Sequence, residues 1–400
     1  PMMRRAYAAM RNGTAAPVVV ELTADICRGE VADGAIDGYR SPGLDLQAPA
    51  PAAIDAAAEA LLDAERPWLW AGGGVLAGRA SEALTELAEL VSAPVFTTMA
   101  GKSAFDERHP LSLGAGGMTT TGPAAKWLAD CDLLLALGSS LTRTPYGQRV
   151  PRQARLVQNT NNPDEIGKDE NVEIGLPGDV GLTIAALVDA VRARTSGDIG
   201  DAERIRGEVA AAHDEWNATW HNALTAGDEP LSYYRVIRAL NETLDLEHSI
   251  VTHDAGAPRD CMVPFFTATV PHSYVGWGKT THLGFGLPLM IGAKLAHPDR
   301  FCLNVMGDGA FGMAGTDIET AARSGTAITT VLLDNGAMAT YPIGGPLDPV
   351  TARTTYGVTQ MTGDYAKIAE GMGAIGLAVR SAAELTDALG EAQRLNSEGT

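Results

Sequence analysis

Val305-Met306-Gly307-Asp308-Gly309-Ala310-Phe311-Gly312-Met313 is the stretch on which the reading of this chain turns. It runs an apolar strand into an acidic glycine turn and then into an amphipathic helix predicted to continue through Arg323. Such a turn points backbone N–H groups and the positive end of a helix at an anion, while the Asp carboxylate offers a hard oxygen to a cation. One helix and one strand later, Thr329-Thr330-Val331-Leu332-Leu333 ends in Asp334-Asn335-Gly336. A strand–helix–strand unit returns the chain to the same sheet edge, so Asp308 and Asn335 are predicted to meet where ligands of open α/β sheets collect. Each tripeptide alone is ordinary turn chemistry. Placed one such unit apart, each at a strand's carboxyl end, they suit a Mg²⁺-bound diphosphate.

Working outward, the same alternation recurs. Tyr233 to Leu244 reads as a helix, Ser249 to Thr252 and Phe301 to Met306 as strands, and Ala374 to Val379 as a further strand before a helix to Ala392. Upstream, helices at Ile54 to Glu65, Ala80 to Val91, Pro123 to Ala129 and Leu182 to Arg194 alternate with strands at Trp68 to Ala71, Val95 to Thr98, Leu133 to Leu137 and Arg155 to Gln158. Asp201 to Thr225 is polar and helix-forming and reads as a connector. At the start, a helix at Met2 to Arg11 precedes the β-branched run Pro17-Val18-Val19-Val20-Glu21-Leu22, which reads as a buried strand ending a domain. Ser41 to Pro51 has the Pro, Ala and Gly content of a linker. The predicted fold class is α/β, with successive doubly wound parallel-sheet domains. The predicted divisions are a remnant over 1–40, a central domain over 41–200, a connector over 201–230 and a last domain over 231–400.

Bulk properties narrow the partners. Forty-five per cent of the 400 residues are apolar and 20% charged, and no apolar run approaches the roughly 18 to 20 residues of a membrane span. A formal net charge of −19 repels nucleic acid and anionic membrane surfaces, so neither is expected as a partner. An anionic ligand needs a local device, a helix N-terminus or a bound cation, to overcome that field. Cys27, Cys131, Cys261 and Cys302 are widely separated, without C-x-x-C or zinc spacing, which fits a reducing, cytoplasmic setting.

Gly307-Asp308-Gly309, an intervening helix and strand, then Asn335 resembles the cofactor motif of the thiamine-diphosphate enzymes, in the branch of acetolactate synthase and benzoylformate decarboxylase. The resemblance covers nearly the whole chain. It implies a remnant of the pyrimidine-binding domain, then the central domain, then the diphosphate-binding domain. It implies that Asp308, the Asn335 side chain and the Ala337 carbonyl ligate Mg²⁺. Gly307, Gly309, Ala310 and the loop Asp254-Ala255-Gly256 would hold the diphosphate of thiamine diphosphate. Leu283 would wedge between the cofactor's two rings, and Thr281 would offer its carbonyl to the cofactor's amino group. The family usually has Asn where this chain has Asp334, and Gly where it has Thr281; neither change removes a ligand.

The same resemblance implies decarboxylation of a small 2-oxo acid with carboligation, as in acetolactate synthase, by a homodimer or homotetramer. Simple 2-oxo-acid decarboxylation and a non-catalytic cofactor-binding paralogue are the alternatives, with a flavin or nicotinamide oxidoreductase as a further rival. The family's activating glutamate belongs to the pyrimidine domain, so the chain is expected to be truncated at both ends and inactive by itself. Trp70-Ala71-Gly72-Gly73-Gly74 lacks G-x-G-x-x-G spacing and reads as a tight turn, leaving FAD in the central domain open. His282 is a candidate catalytic group and His253 a weaker one, although a solitary His is more often structural. Met338 and Tyr341, after Asn335, are candidates for contact with substrate, with core packing the alternative for Met338.

Overall fold

Strands that are apolar along their whole length belong inside parallel sheets, where helices cover both faces. The sequence Pro67-Trp68-Leu69-Trp70-Ala71 meets that condition, and the computed structural model buries every one of its residues. Residues 2–35, 37–38, 40, 46–195, 201–227, 229–277, 282–338, 357 and 360–399 are described. The first sheet contains β1 (Pro67–Ala71), β2 (Val95–Thr98), β3 (Ser112–Gly116), β4 (Leu133–Leu137), β5 (Arg155–Thr160) and β6 (Ile174–Pro177). Its order is β3-β2-β1-β4-β5-β6, and every pairing is parallel. Trp68 and Trp70 pack on Phe96 of β2 with ring centroids 5.4 Å and 4.8 Å away, so the β1–β2 pair is locked by aromatic contacts as well as by its ladder.

The strand order reverses between β1 and β4, and the glycine run falls there. Gly72 N–H donates to the Leu137 carbonyl and Gly74 N–H to that of Gly138, each at 2.9 Å. A Cβ on Gly72 would stand 2.3 Å from the Gly138 oxygen. The run therefore lets two loops cross in contact, which is the tight-turn reading of Gly72-Gly73-Gly74.

The second sheet contains β7 (Ser249–His253), β8 (Tyr274–Val275), β9 (Phe301–Gly307) and β10 (Thr329–Leu333), in the order β10-β9-β7-β8 and all parallel. Three expectations are corrected. Pro17–Leu22 forms no strand, and Val19 is 88% exposed; a β-branched run becomes a strand only when a neighbour takes its backbone hydrogen bonds, and no described strand lies beside it. Residues 374–379 are likewise irregular, with Ile375 and Leu377 exposed. The helix after Asp308 is two, Asp308–Ala314 and Asp317–Ser324. β3, β6 and β8 were not legible: β3 is half glycine and small residues, and β8 is two residues long. No described helix is long and apolar enough to cross a membrane.

The connector is a single helix, Ala202–Thr225, capped by the Asp201 carboxylate. Trp216 stacks on Phe265 at 5.1 Å, and Trp220 meets Tyr234 and Phe265 at 5.0 Å and 4.9 Å, gluing the connector to the second sheet's helices.

A buried ion pair joins the two sheets' surroundings. Lys102, 1% exposed, places its Nζ 2.5 Å and 2.7 Å from the two Glu107 oxygens and 5.3 Å from the centre of the Tyr274 ring. Glu107 Oε2 also accepts the Ala268 N–H at 2.8 Å, and Ser103 Oγ donates to the Tyr274 carbonyl. Burial disfavours both charges, pushing the Lys102 ammonium down and the Glu107 carboxyl up, and their mutual attraction opposes both shifts. Removing one partner strands the other. Lys102→Met is expected to cost roughly 3–5 kcal/mol in chemical denaturation, and Lys102→Met/Glu107→Leu markedly less. Equal costs for the single and double variants would show that the charge pairing is not what matters.

Candidate functional site

β9 and β10 run in parallel register, with Leu333 opposite Gly307, so the residues that follow them emerge side by side. Asp308 is 2% exposed. Its Oδ1 accepts the Gly309 N–H at 2.7 Å, and its Oδ2 accepts the Ala337 N–H at 3.1 Å. Asn335 Oδ1 accepts that same N–H at 2.9 Å. One backbone donor thus gathers a carboxylate oxygen and an amide oxygen to a common point. Burial raises the Asp308 carboxyl above its usual range, and the neighbouring Asp334 adds to this, against the N–H groups that lower it. Such a carboxylate is relieved by a cation.

The Asp254-Ala255-Gly256 loop follows β7 and leads into the helix Ala257–Phe265. Gly256 has φ +84 and ψ −143, a conformation closed to residues bearing Cβ, and it turns that helix's N-terminus onto the site. Asp254 is placed behind the cleft, not in it. Fully buried, its carboxylate accepts N–H groups from Ala255 at 2.8 Å, Gly284 at 2.9 Å and Gly286 at 3.2 Å. The side chain therefore clamps the 282–286 turn, and the backbone beside it is what faces a ligand.

An open cleft of about 440 Å³ lies between these segments, lined by Ala255, Gly256, Gly307, Asp308, Gly309, Ala310, Leu283, Asn335, Ala337 and Met338, and also by Tyr233, Ala257, Pro258 and Leu333. Leu283 is half-buried and packs on the cluster of Leu287, Met306, Ala310 and Phe311. Met338 lies over Gly309. His282 is exposed and is not among the lining residues. Thr281 and Tyr341 lie outside the described residues. Tyr233 was not singled out from the sequence, where it is one more apolar position of an amphipathic helix. Among the described residues the lining contains no Lys, Arg or His. Backbone N–H groups and two helix N-termini are its positive features.

Comparison with known proteins agrees with this geometry. Residues 54–187 match the family model for the thiamine pyrophosphate enzyme central domain, and residues 254–400 the one for the C-terminal TPP binding domain. A probable acetolactate synthase large subunit of Methanocaldococcus jannaschii is 31% identical over 346 residues, covering 83% of this chain and 57% of that protein. Acetolactate synthase of Mycobacterium leprae is 26% identical over 412 residues, covering 99% of this chain and 64% of that protein. The acetolactate synthase large subunit of Parasynechococcus marenigrum is 29% identical over 346 residues, covering 84% and 54%. The chain thus spans somewhat more than half the length of these relatives.

His253 closes β7 directly behind the cleft. It is fully buried against Tyr274, Trp277 and Phe285, and burial pushes its imidazole down to about 3. The unfolded imidazole titrates near 6.5, so between those values the unfolded chain binds one more proton than the folded one. Stability is therefore lost as pH falls through that window. At roughly pH 5 this one group removes about 2 kcal/mol. His253→Phe, which keeps a ring beside Tyr274 without the titration, is expected to lose less thermal stability than the parent between roughly pH 7.5 and pH 5. Equal losses in melting temperature would acquit His253.

Proposed function

The chain belongs to the thiamine pyrophosphate enzymes, and from that premise we propose that its protein decarboxylates a small 2-oxo acid with thiamine diphosphate and Mg²⁺ and joins the remaining fragment to a second carbonyl, as an acetolactate synthase does. The observation that carries the cofactor part is the pair of oxygens from Asp308 and Asn335 converging on the Ala337 N–H. Carboxylate, amide oxygen and backbone carbonyl form a donor set suited to a hard divalent cation. The cleft also fits a diphosphate, provided a metal comes with it. Among the described residues its lining has no cationic side chain, and the chain's net charge is −19, so a cation arriving with the anion favours its binding.

When bound, thiamine diphosphate supplies a nucleophilic carbon and an electron sink for loss of CO₂ from a 2-oxo acid. The protein's own part is placement. Asp308, Asn335 and the Ala337 carbonyl would hold Mg²⁺, and the N–H groups around Gly256 and Ala310 would take the phosphates, that of Gly309 being engaged by Asp308. Leu283, fixed by its packing, presents an apolar surface to the cofactor's rings. Met338 lines the same cleft and would border the substrate. Carboligation is favoured over simple decarboxylation by the acetolactate synthases among the relatives. We place the protein as at least a homodimer, the resemblance locating the cofactor between two subunits, and in the cytoplasm, which suits its four free cysteines. The N–H groups of Gly72 and Gly74 are engaged with Leu137 and Gly138, which supports a tight turn there and leaves FAD in the central domain open.

Asp308→Ala removes the charged ligand from a site without other charge to spare. Loss of a residue that merely supports a metal ligand costs roughly 10–100-fold in affinity, so thiamine diphosphate affinity in the presence of Mg²⁺ is expected to fall by about 100-fold or more. Isothermal calorimetry, with a chelator control on the parent chain, measures this; unchanged affinity in Asp308→Ala sinks the site.

A further inference from the structure

Tyr233 is the first residue of the helix Tyr233–Thr243, whose N-terminus is capped by Ser232 Oγ accepting the Arg235 N–H at 3.1 Å. The ring is half-buried, packs on the core beneath the second sheet and lines the cleft. Asn335 Nδ2 donates to its hydroxyl oxygen at 2.5 Å.

Two consequences follow from hydrogen-bond inventory. An Asn amide can face a site with its oxygen or, flipped, with its NH₂, and only the first binds a cation. Tyr233 holds the NH₂, so Oδ1 is the atom turned toward the Ala337 N–H and Asp308. Secondly, the phenol oxygen accepts in that bond, which leaves its own hydrogen to donate. Among the described residues, the other polar side chains in the lining are Asp308, an acceptor, and Asn335, whose NH₂ is already engaged.

We propose that Tyr233 orients the Asn335 amide for the cation through its oxygen and donates its hydroxyl hydrogen to the phosphate of a metal-bound organic diphosphate. It is thus a positioning residue for the metal and a direct ligand of the anion. The inference rests on the reading of the site as a Mg²⁺–thiamine diphosphate site and adds to it the side-chain donor that the lining otherwise lacks. Outer-shell partners of this kind fix ligand orientation and are worth roughly 10–100-fold in metal affinity.

The test uses the chain in four forms: the parent, Tyr233→Phe, Asn335→Ala and both together. Calorimetry gives thiamine diphosphate affinity at saturating Mg²⁺. A Mg²⁺ titration at fixed thiamine diphosphate gives the metal requirement, and ligand-free melting temperature reports folding. Tyr233→Phe is expected to weaken thiamine diphosphate by about tenfold and to raise the Mg²⁺ needed for half-saturation, with the ligand-free melting temperature held. In the Asn335→Ala background its effect on Mg²⁺ is expected to vanish while part of its effect on the diphosphate persists. If the parent binds and Asp308→Ala does not, yet Tyr233→Phe matches the parent in both titrations, the role of Tyr233 is overturned and the functional reading stands. If the parent itself fails to bind thiamine diphosphate with Mg²⁺, both fall together.

Discussion

The carboxylate of Asp254 is the contact through which the parts of the site are held in one arrangement. Its own N–H is bonded to the Val305 carbonyl of β9, while its side chain gathers the N–H groups of Ala255, Gly284 and Gly286. An ionised carboxylate without solvent is costly, and burial does raise its pKa, but three backbone donors counter that cost. The result ties the end of β7, the strand carrying Asp308 and the turn carrying Leu283 to one another. None of these segments is long enough to hold such geometry by secondary structure alone.

Electrostatics favours backbone donors as the means by which the proposed site would hold an anion. A chain with net charge −19 whose cleft has Asp308 at its centre and Asp334 alongside repels a free diphosphate. Local donors act at short range, where screening and the global field matter least. Gly256, Gly307 and Gly309 line the cleft, and a chain without side chains lets a ligand approach closely. The same economy appears in the central domain, where Gly72 and Gly74 let two loops touch and engage each other's polar groups.

Support for the site extends beyond the sheet that carries it. The Lys102–Glu107 pair and Ser103 reach from the central domain to Ala268 and Tyr274, and Tyr274 stacks on His253 at 5.7 Å. His253 in turn precedes Asp254. A chain of buried contacts therefore runs from an ion pair of the central domain to the residue that clamps the Leu283 turn, and the aromatic packing of Trp216 and Trp220 on Phe265 binds the connector to the same body.

Periodicity and turn chemistry determined the alternating α/β architecture, the strands β1, β2, β4, β5, β7, β9 and β10, and the pairing of Asp308 with Asn335, because each is written in contiguous residues: an apolar run, then a glycine turn with an oxygen ligand. The strands β3, β6 and β8 escaped that reading, since their pairing is supplied by neighbours distant in sequence and not by their own stretches, glycine-bearing in β3 and β6 and only two residues long in β8. The opposite failure befell Pro17–Leu22 and Ala374–Val379, whose residues favour strand but which lie beside no described strand that could take their hydrogen bonds. Only the tertiary structure decided that Asp254 faces inward as a clamp, that His282 stays in solvent and that Tyr233 meets Asn335. Those outcomes depend on where a side chain points once residues 102 positions apart have been brought together, and no local pattern encodes that direction.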